Sequence, residues 1–278
     1  MLPLEVYPSQ DNSLYPLLYD SRNREFCRNS IKKYPQTIKF SDGSIFPLFS
    51  GGILTKEEID TITAGIAEKI VNNFSGSLLI VQVLEGARMF CRKVCAYLDR
   101  YKGDNFCYQK AEVKISSYHE GIMAGQQQII FPLRDENGYQ LTDLRKYEAV
   151  IILDDLVDAG NTFIWLAGKY LPGFNPQVIT ACFLLNKKRQ RSPAVENFLL
   201  ANEYIYGKLV PDEWLVGFGL DIALPCPGGR DETLHLFREL PGGGIYAFNK
   251  EIERRLIAEY KLNPRLILDQ LRVYVSKA

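Results

Sequence analysis

The chain has 278 residues, of which 46% are hydrophobic and 24% are charged, a composition typical of a soluble globular protein. Lysine plus arginine and aspartate plus glutamate both number 33, which argues against a basic surface that attracts nucleic acid or an anionic membrane. No basic segment followed by an apolar stretch opens the chain, and its apolar runs are too short to span a bilayer. A cytoplasmic protein with a small-molecule partner is expected.

Composition divides the chain into three predicted segments. Residues 1–50 are rich in proline, tyrosine, serine and asparagine with little periodicity, which predicts an N-terminal extension. Residues 51–240 carry regular patterns and are predicted to form the core. A Pro-Gly-Gly-Gly run then breaks the pattern, and helices are predicted over residues 251–260 and from an Asn263 cap onward. Residues 241–278 are therefore expected to be a helical appendage.

The predicted core alternates helices with strands. Thr55 and Glu58 form a capping box at the start of a helix whose isoleucines recur at helical spacing. Residues 78–84 predict a buried central strand, and another helix is predicted just after Gly86. Further strands are predicted over residues 107–118, 127–132, 149–153 and 178–185. This alternation predicts βαβ units, and hence an α/β protein with a central parallel sheet flanked by helices.

An apolar strand runs directly into Asp154 and Asp155, and a turn of small residues follows before the next predicted helix. Ligands of open α/β sheets bind at such carboxyl ends of strands. The backbone N–H groups of residues 159–162 are expected to meet at a helix N-terminus, where Gly160 allows close approach and the Thr162 hydroxyl adds a donor for phosphate. The two carboxylates suit ribose hydroxyls, which are donors, and Mg²⁺. The stretch therefore predicts a site for a phosphorylated ribose.

This stretch resembles the 5-phosphoribosyl 1-pyrophosphate (PRPP) signature of the type I phosphoribosyltransferases. The resemblance implies the fold of that family, a central parallel sheet flanked by helices with a small hood and a mobile lid loop. It assigns Asp154 and Asp155 to the ribose hydroxyls and the metal. The residues assigned to the 5′-phosphate are Ala159, Gly160, Asn161 and Thr162. Two of them depart from the family pattern, because Ala159 stands where threonine is common and Asn161 where lysine or arginine is common.

The segment after the first central strand resembles the pyrophosphate loop of the hypoxanthine-guanine phosphoribosyltransferases, in which Leu-Lys-Gly-Ala is usual. Leu84, Glu85 and Gly86 occupy these positions and are assigned to pyrophosphate. Glu85 replaces the lysine, and an acid beside pyrophosphate is unfavourable unless it faces away or binds Mg²⁺. Arg88, in the next turn, is expected to restore positive charge. The substitution predicts weaker PRPP binding or a structural role for Glu85.

A polar segment between two predicted strands is similar to the Ser-Tyr segment that opens the mobile lid of the family. Ser117 and Tyr118 occupy its Ser-Tyr positions. A lid excludes water, which would otherwise capture the developing ribosyl cation. An ordinary surface hairpin is the alternative interpretation of the same residues.

A basic run ends the strand predicted over residues 178–185. Lys187 aligns with the lysine that, in the resembling enzymes, donates to the exocyclic oxygen of a 6-oxopurine. Lys188, Arg189 and Arg191 are expected to form a solvated basic turn. A short basic run in a neutral chain does not indicate nucleic-acid binding.

Residues 213–221 are similar to the Phe-Val-Val-Gly-Tyr-Gly-Leu-Asp segment of the family. By position, Trp214 is assigned to stacking on the purine, and the backbone of Leu215 to reading the purine edge. Asp221 aligns with the aspartate that binds Mg²⁺ and pyrophosphate. The pyrophosphate-binding arginine of the family comes sooner after that aspartate than Arg230 does here, so Arg230 is a displaced candidate for this role.

Together these segments imply a Mg²⁺-dependent purine phosphoribosyltransferase of purine salvage that acts on hypoxanthine, guanine or xanthine. It would form a nucleoside 5′-monophosphate and pyrophosphate from PRPP and the base, with Asp158 as the general base at N7. The family commonly pairs subunits, so a homodimer or homotetramer is expected. The alternative is a PRPP- or nucleotide-binding regulator on the same fold with little transferase activity, which the departures at Glu85, Ala159 and Asn161 favour.

Overall fold

The structure is a computed structural model that describes residues 36–118, 124–202, 204–225, 233–240 and 242–277. Within these ranges the chain forms two compact units. The first unit runs from Asp60 to Pro211. The second unit contains residues 36–59 and 212–277.

The secondary structure is named here in chain order. The strands are β1 (Thr37–Lys39), β2 (Ile45–Pro47), β3 (Phe49–Leu54), β4 (Ser77–Leu84), β5 (Cys107–Tyr118), β6 (Ala124–Asp135), β7 (Ala149–Val157), β8 (Ile179–Lys188), β9 (Tyr204–Pro211), β10 (Leu215–Val216), β11 (Ile222–Pro225), β12 (Thr233–Leu236), β13 (Ile245–Phe248) and β14 (Val275–Lys277). The α-helices are α1 (Lys56–Asn73), α2 (Arg88–Tyr101), α3 (Asn161–Trp165), α4 (Pro193–Ala201), α5 (Lys250–Leu262) and α6 (Pro264–Leu271). A π-helical turn (Leu166–Tyr170) and a 3₁₀ turn (Leu171–Phe174) follow α3, and a 3₁₀ turn (Arg272–Tyr274) follows α6.

A six-stranded sheet forms the centre of the first unit, in the order β6-β5-β4-β7-β8-β9. Its neighbouring strands are parallel except for β6, which pairs antiparallel with β5. The central strands are continuous apolar runs because both of their faces are covered, and Leu79, Ile80 and Ile151 are fully buried. The mostly parallel sheet with its helices confirms the predicted α/β fold class.

Strand β7 is longer than its apolar run predicts. The sequence indicates a strand over residues 149–153, but the ladder with β8 continues to Leu156 and Val157. Asp154 and Asp155 are therefore strand residues, which a pattern based on apolar runs does not include. Beyond them the predicted helix is present as α3, and it continues into π-helical and 3₁₀ turns.

The second unit has its own apolar core. Strands β10, β13 and β3 form one small sheet, and β11, β12 and β14 form another. Buried side chains from both ends of the unit's sequence belong to one cluster, including Ile38, Phe40, Phe248, Leu256 and Tyr260. Helices α5 and α6 are thus packed parts of this unit.

The predicted segment boundaries at residues 50 and 240 differ from this division. Ile38 and Leu48, from the predicted extension, are fully buried in the same core as Leu256, from the predicted appendage. Strands as short as β1 and β2 span too few residues to show a periodic pattern, so the sequence gives little sign of them. The described parts of both terminal segments are integral to the second unit.

Helices begin where the local signals predict. Thr55 Oγ1 accepts from the Glu58 backbone N–H at 3.1 Å, and the Glu58 carboxylate accepts from the Thr55 backbone N–H at 2.8 Å, which confirms the capping box. Asn263 Oδ1 accepts from the Leu266 backbone N–H at 3.2 Å and caps α6. Throughout the described ranges, no helix combines the length and apolar character that crossing a bilayer requires.

Truncating the core face of α5 tests whether the C-terminal segment is integral to the fold. Leu256→Ala leaves a cavity in the second unit and is expected to lower the free energy of unfolding by about 2–5 kcal/mol. Leu262→Ala is the matched control, because Leu262 ends the same helix with 85% of its surface exposed. Its effect is expected to stay within about 0.5 kcal/mol. Urea unfolding measures both, and equal small effects would mean that α5 is a dispensable appendage.

Candidate active site

Three of the predicted segments lie at one edge of the six-stranded sheet. Strands β4, β7 and β8 are parallel neighbours, so their carboxyl ends reach the same edge. The chain continues from these ends into Glu85, Asp158 and Lys187, of which Lys187 is still paired in the sheet. This is the edge at which open α/β sheets bind ligands. Within the first unit, the structure thus brings together the segments predicted for pyrophosphate, phosphorylated ribose and purine.

Asp158, the predicted general base, contacts two cations. Its Oδ2 lies 3.1 Å from Lys187 Nζ, and its Oδ1 lies 2.5 Å from Arg189 Nη1. Burial alone would raise the pKa of the Asp158 carboxyl, but Lys187 and Arg189 outweigh burial and bring that pKa below its usual value. Asp158 is therefore a carboxylate able to accept a proton, next to the lysine predicted to bind the purine.

The expectation of a solvated basic turn is wrong for Arg191, whose side chain is only 5% exposed. Arg189 is exposed, as expected, and it also pairs with Asp158. The guanidinium of Arg191 donates to backbone carbonyls that follow the apolar part of β7. A run of basic residues normally predicts side chains exposed to solvent. The carbonyl groups of Asp158 and Val157 lie 33 and 34 residues before Arg191, so the sequence does not reveal them as its partners.

Asp154 and Asp155 form a crowded carboxylate pair at the end of β7. Burial and the adjacent charge of Asp155 raise the pKa of the Asp154 carboxyl well above its usual value. Asp155 lies against the backbone of Gly86, where any Cβ would overlap its carboxylate. The predicted ribose and pyrophosphate residues are therefore in contact, and a larger residue at position 86 would have to displace the Asp155 carboxylate.

The turn predicted for the 5′-phosphate has a left-handed glycine at its centre. Gly160 has φ 80° and caps α3, and a Cβ there would lie 2.8 Å from Val195 Cγ1. Ala159 and Thr162 are partly buried on either side, and Asn161 is exposed. The first turn of α3 begins here, so its backbone N–H groups have no carbonyl one turn earlier in the helix to donate to.

Glu85 is surrounded by positive charge. Its carboxylate lies 3.1 Å from Lys114 Nζ and 4.0 Å from Arg88 Nη2. The peptide bond between Leu84 and Glu85 is cis, and Leu84 is buried. Arg88 is mostly exposed, and its predicted role of restoring positive charge at this loop stays a prediction.

The predicted lid begins at the end of β5. Ser117 and Tyr118 are the last residues of this strand, which pairs with β6 as a hairpin. Residues 119–123 lie outside the described part of the chain. A strand pair is common to the lid and the surface-hairpin interpretations, so the lid stays a prediction.

In the second unit, Trp214 lies close to Asp221. Its indole Nε1 donates to the Asp221 carbonyl oxygen at 3.3 Å. Leu215 follows in β10, with a buried side chain and its backbone paired to β13. Arg230 lies outside the described residues.

Arg238 is a candidate site residue that sequence reasoning missed. Its Nη2 lies 2.6 Å from Asp221 Oδ2, and His235 Nδ1 lies 2.9 Å from the same oxygen. The signal was the antiparallel pairing of β11 with β12, in which Ile222 faces Leu236, so that the chain returns to Asp221 two residues later. The sequence alone offers Arg230, the first arginine after Asp221, whereas the pairing of β11 with β12 brings Arg238 to Asp221.

The fold and these strand-end groups define an α/β protein in which the turn predicted to bind phosphate follows a pair of adjacent carboxylates. The family model for the phosphoribosyl transferase domain matches residues 52–221, and the chain belongs to this family. Its membership confirms the family, the fold and the class of enzyme, a pentosyltransferase, that the sequence predicts.

Curated relatives and solved structures agree with this family. The chain is 28% identical to hypoxanthine-guanine phosphoribosyltransferase of Staphylococcus aureus over 171 residues, 61% of this chain and 84% of that protein. It is 27% identical to hypoxanthine phosphoribosyltransferase of Buchnera aphidicola over 175 residues, 62% and 87% of the two proteins. A crystal structure of a hypoxanthine phosphoribosyltransferase from Staphylococcus aureus is similar with a TM-score of 0.55 at 25% identity, covering 74% of this chain and 94% of that one.

The crowded carboxylates predict that neutralising Asp154 stabilises the unliganded protein. A folded-state pKa above the unfolded value means that stability is lost as the pH rises through the folded-state pKa. Asp154→Asn keeps the shape without the charge, so its Tm should exceed that of the wild type at neutral pH. The difference should vanish below about pH 4, near the unfolded pKa, where the wild-type carboxyl is protonated.

Calorimetry without Mg²⁺ or phosphates measures this effect. Asp143→Asn is the control, because it removes the same charge from an exposed aspartate that pairs with Arg145. That variant should show no gain. A lower Tm for Asp154→Asn at neutral pH would contradict the proposed charge crowding.

Proposed function

We propose that the protein transfers the phosphoribosyl group of PRPP to a 6-oxopurine (hypoxanthine, guanine or xanthine), forming a nucleoside 5′-monophosphate and pyrophosphate. The observation that carries this proposal is the contact of 3.1 Å between Lys187 Nζ and Asp158 Oδ2 at the strand ends. A 6-oxopurine offers an acceptor oxygen to an ammonium and, close by, a ring N–H to a carboxylate. The names of the Staphylococcus and Buchnera relatives support the same substrate class.

Transfer forms a bond between the purine N9 and the anomeric carbon, and breaks the bond from that carbon to pyrophosphate. As N9 bonds, Asp158 accepts the proton at N7 as general base. Lys187 donates to the oxygen at C6 and orients the ring. When Lys187 turns to the purine, Arg189 is the cation that stays on Asp158.

The phosphate groups need donors at both ends of PRPP. For the 5′-phosphate, the turn around Gly160 supplies backbone N–H groups at the start of α3. Ala159 lacks the hydroxyl that is common in the family, a loss of about 0.5–1.5 kcal/mol for one hydrogen bond. For pyrophosphate, we assign Arg238 the role predicted for Arg230, because Arg238 pairs with Asp221. The roles of Leu84, Glu85 and Gly86 in the pyrophosphate loop stay predictions.

Asp154 and Asp155 have the donor chemistry that Mg²⁺ prefers. Two adjacent carboxylates, one with a raised pKa, gain from a divalent cation that offsets their repulsion. Mg²⁺ held by these two carboxylates would supply positive charge for the leaving pyrophosphate. Asp221, predicted to bind the metal, already pairs with Arg238 and His235, so we assign the metal first to the strand-end pair.

Several finer assignments stay predictions. They are the purine contacts of Trp214 and Leu215, the metal contact of Asp221, the lid at Ser117 and Tyr118, the role in salvage, the cytoplasmic location and the dimer or tetramer. One observation favours the alternative of a nucleotide-binding regulator. Glu85 pairs with Lys114 and Arg88, two cations near the predicted pyrophosphate loop. These cations are then less available to pyrophosphate, so weaker PRPP binding is expected.

An assay of pyrophosphate release tests the proposal. The protein is mixed with Mg²⁺, PRPP and hypoxanthine, guanine, xanthine or adenine in turn. Release is expected with one or more of the 6-oxopurines and not with adenine, because Lys187 donates to an oxygen that adenine lacks. Silence with all four bases would favour the regulator instead.

Asp158→Asn tests the general base. It removes proton acceptance and should lower kcat by roughly 10²- to 10⁴-fold with little change in the Kd for PRPP. Asp143→Asn, on the surface, is the control and should keep wild-type kinetics. Wild-type turnover in Asp158→Asn would show that another group accepts the proton.

A further inference from the structure

The backbone pairing between β7 and β8 ends just before Asp158 and Lys187, the two residues whose side chains form the proposed site. Strands β7 and β8 pair along their length up to Val157 and Asn186. Asp158 and Lys187 come next, and they lie beyond the last β7–β8 pair. Their side chains meet at 3.1 Å, one residue past the last backbone pair between these two strands.

The guanidinium of Arg191 bridges these strand ends. On the β7 side, its Nε donates to the Asp158 carbonyl oxygen at 2.7 Å and its Nη2 lies 3.1 Å from the Val157 carbonyl oxygen. On the β8 side, Nη2 lies 3.0 Å from the Lys187 carbonyl oxygen and 2.7 Å from Asn186 Oδ1. Nη2 has two hydrogens for three acceptors, so at least one of these bonds is shared. The Arg191 guanidinium thus joins the ends of β7 and β8 by hydrogen bonds where their backbone pairing stops.

The chemistry of this site requires arginine. Its rigid planar fork donates in several fixed directions, whereas a lysine ammonium donates from a single point. The Arg191 side chain is 5% exposed, and the carboxylate of Glu196 lies 3.6 Å from its Nη1. Removing a cation from water is costly unless it is fully hydrogen-bonded. Solvation therefore does not explain its position, whereas bonds to two strand ends do.

We propose that Arg191 is a positioning residue for transfer: it sets the distance between the Asp158 carboxylate and the Lys187 ammonium by fixing the backbone of both. This inference rests on the proposed function, because it gives those two groups their roles. Arg191 touches neither purine nor PRPP in this account. It acts through the carbonyl groups of the residues that do.

Two variants test the bridge by kinetics. Arg191→Lys keeps the charge but loses the fork, and Asn186→Ala removes one acceptor while keeping the arginine. Arg191→Lys is expected to lower kcat by about a hundredfold and to raise the KM for the purine, because small displacements of reacting groups have effects of that size. Asn186→Ala should change both in the same direction by about tenfold. The KM for PRPP should change little.

Arg145→Lys is the matched control, because Arg145 is 72% exposed on the side chain and pairs with Asp143. It should keep wild-type kinetics. All rates are taken at a temperature where circular dichroism shows each variant fully folded. A purely structural Arg191 would lower the Tm and leave kcat and the purine KM of the folded protein unchanged, and that result would overturn the inference.

A second readout does not depend on activity. The carboxyl pKa of Asp158 is followed by carbon-13 NMR, with Asp158→Asn for assignment. Among the described residues, the charged groups that contact Asp158 are Lys187 and Arg189 at its carboxylate and Arg191 at its carbonyl oxygen. In Arg191→Lys the ammonium of Lys187 is no longer fixed near the carboxylate, so that pKa should rise.

The two readouts separate the possible failures. A wild-type protein that transfers nothing would refute the proposed function, and the Asp158 pKa would still decide on Arg191. An unchanged pKa in both Arg191→Lys and Asn186→Ala would overturn the bridge, whatever the activity.

Discussion

The proposed chemistry of this protein depends on one interaction, the contact between Asp158 and Lys187. Each residue follows or ends a parallel strand, and neighbouring parallel strands deliver their carboxyl ends to the same edge. The buried apolar runs of β7 and β8 fix where those ends lie, since a one-residue slip would reverse every side chain. The sheet therefore determines the spacing of a base and an ammonium that are 29 residues apart in sequence.

Two carboxylates near the end of β7 differ because their neighbours differ. Asp154 has a raised pKa from burial and from the charge of Asp155, whereas Asp158 has a lowered pKa because Lys187 and Arg189 outweigh its burial. The first arrangement favours a bound cation, and the second keeps the Asp158 carboxylate ionised, as the proposed general base must be. Opposite shifts within one short segment are typical of functional sites rather than of ordinary surface charges.

The sequence predicts elements with strong local signals, such as the capping box at Thr55 and the apolar strands β4, β7 and β8. It does not predict groups whose role comes from partners distant in sequence. Arg191 and Arg189 contact Asp158, but the sequence does not predict these contacts, because they form only when β7 and β8 are paired. Arg238 lies next to Asp221 only because β11 pairs with β12. The sequence does not predict the short strands β1 and β2, because three residues are too few to show a periodic pattern and their pairing with each other defines them.

In the proposed reaction, Lys187 leaves Asp158 when a 6-oxopurine binds. The most direct test follows the Asp158 carboxyl pKa by carbon-13 NMR in the wild-type protein, without ligand and with saturating inosine 5′-monophosphate. The pKa should rise in the complex, because the ammonium has moved to the oxygen at C6 and N7 of the nucleotide favours the protonated acid. A pKa that stays at its unliganded value or falls would contradict the account.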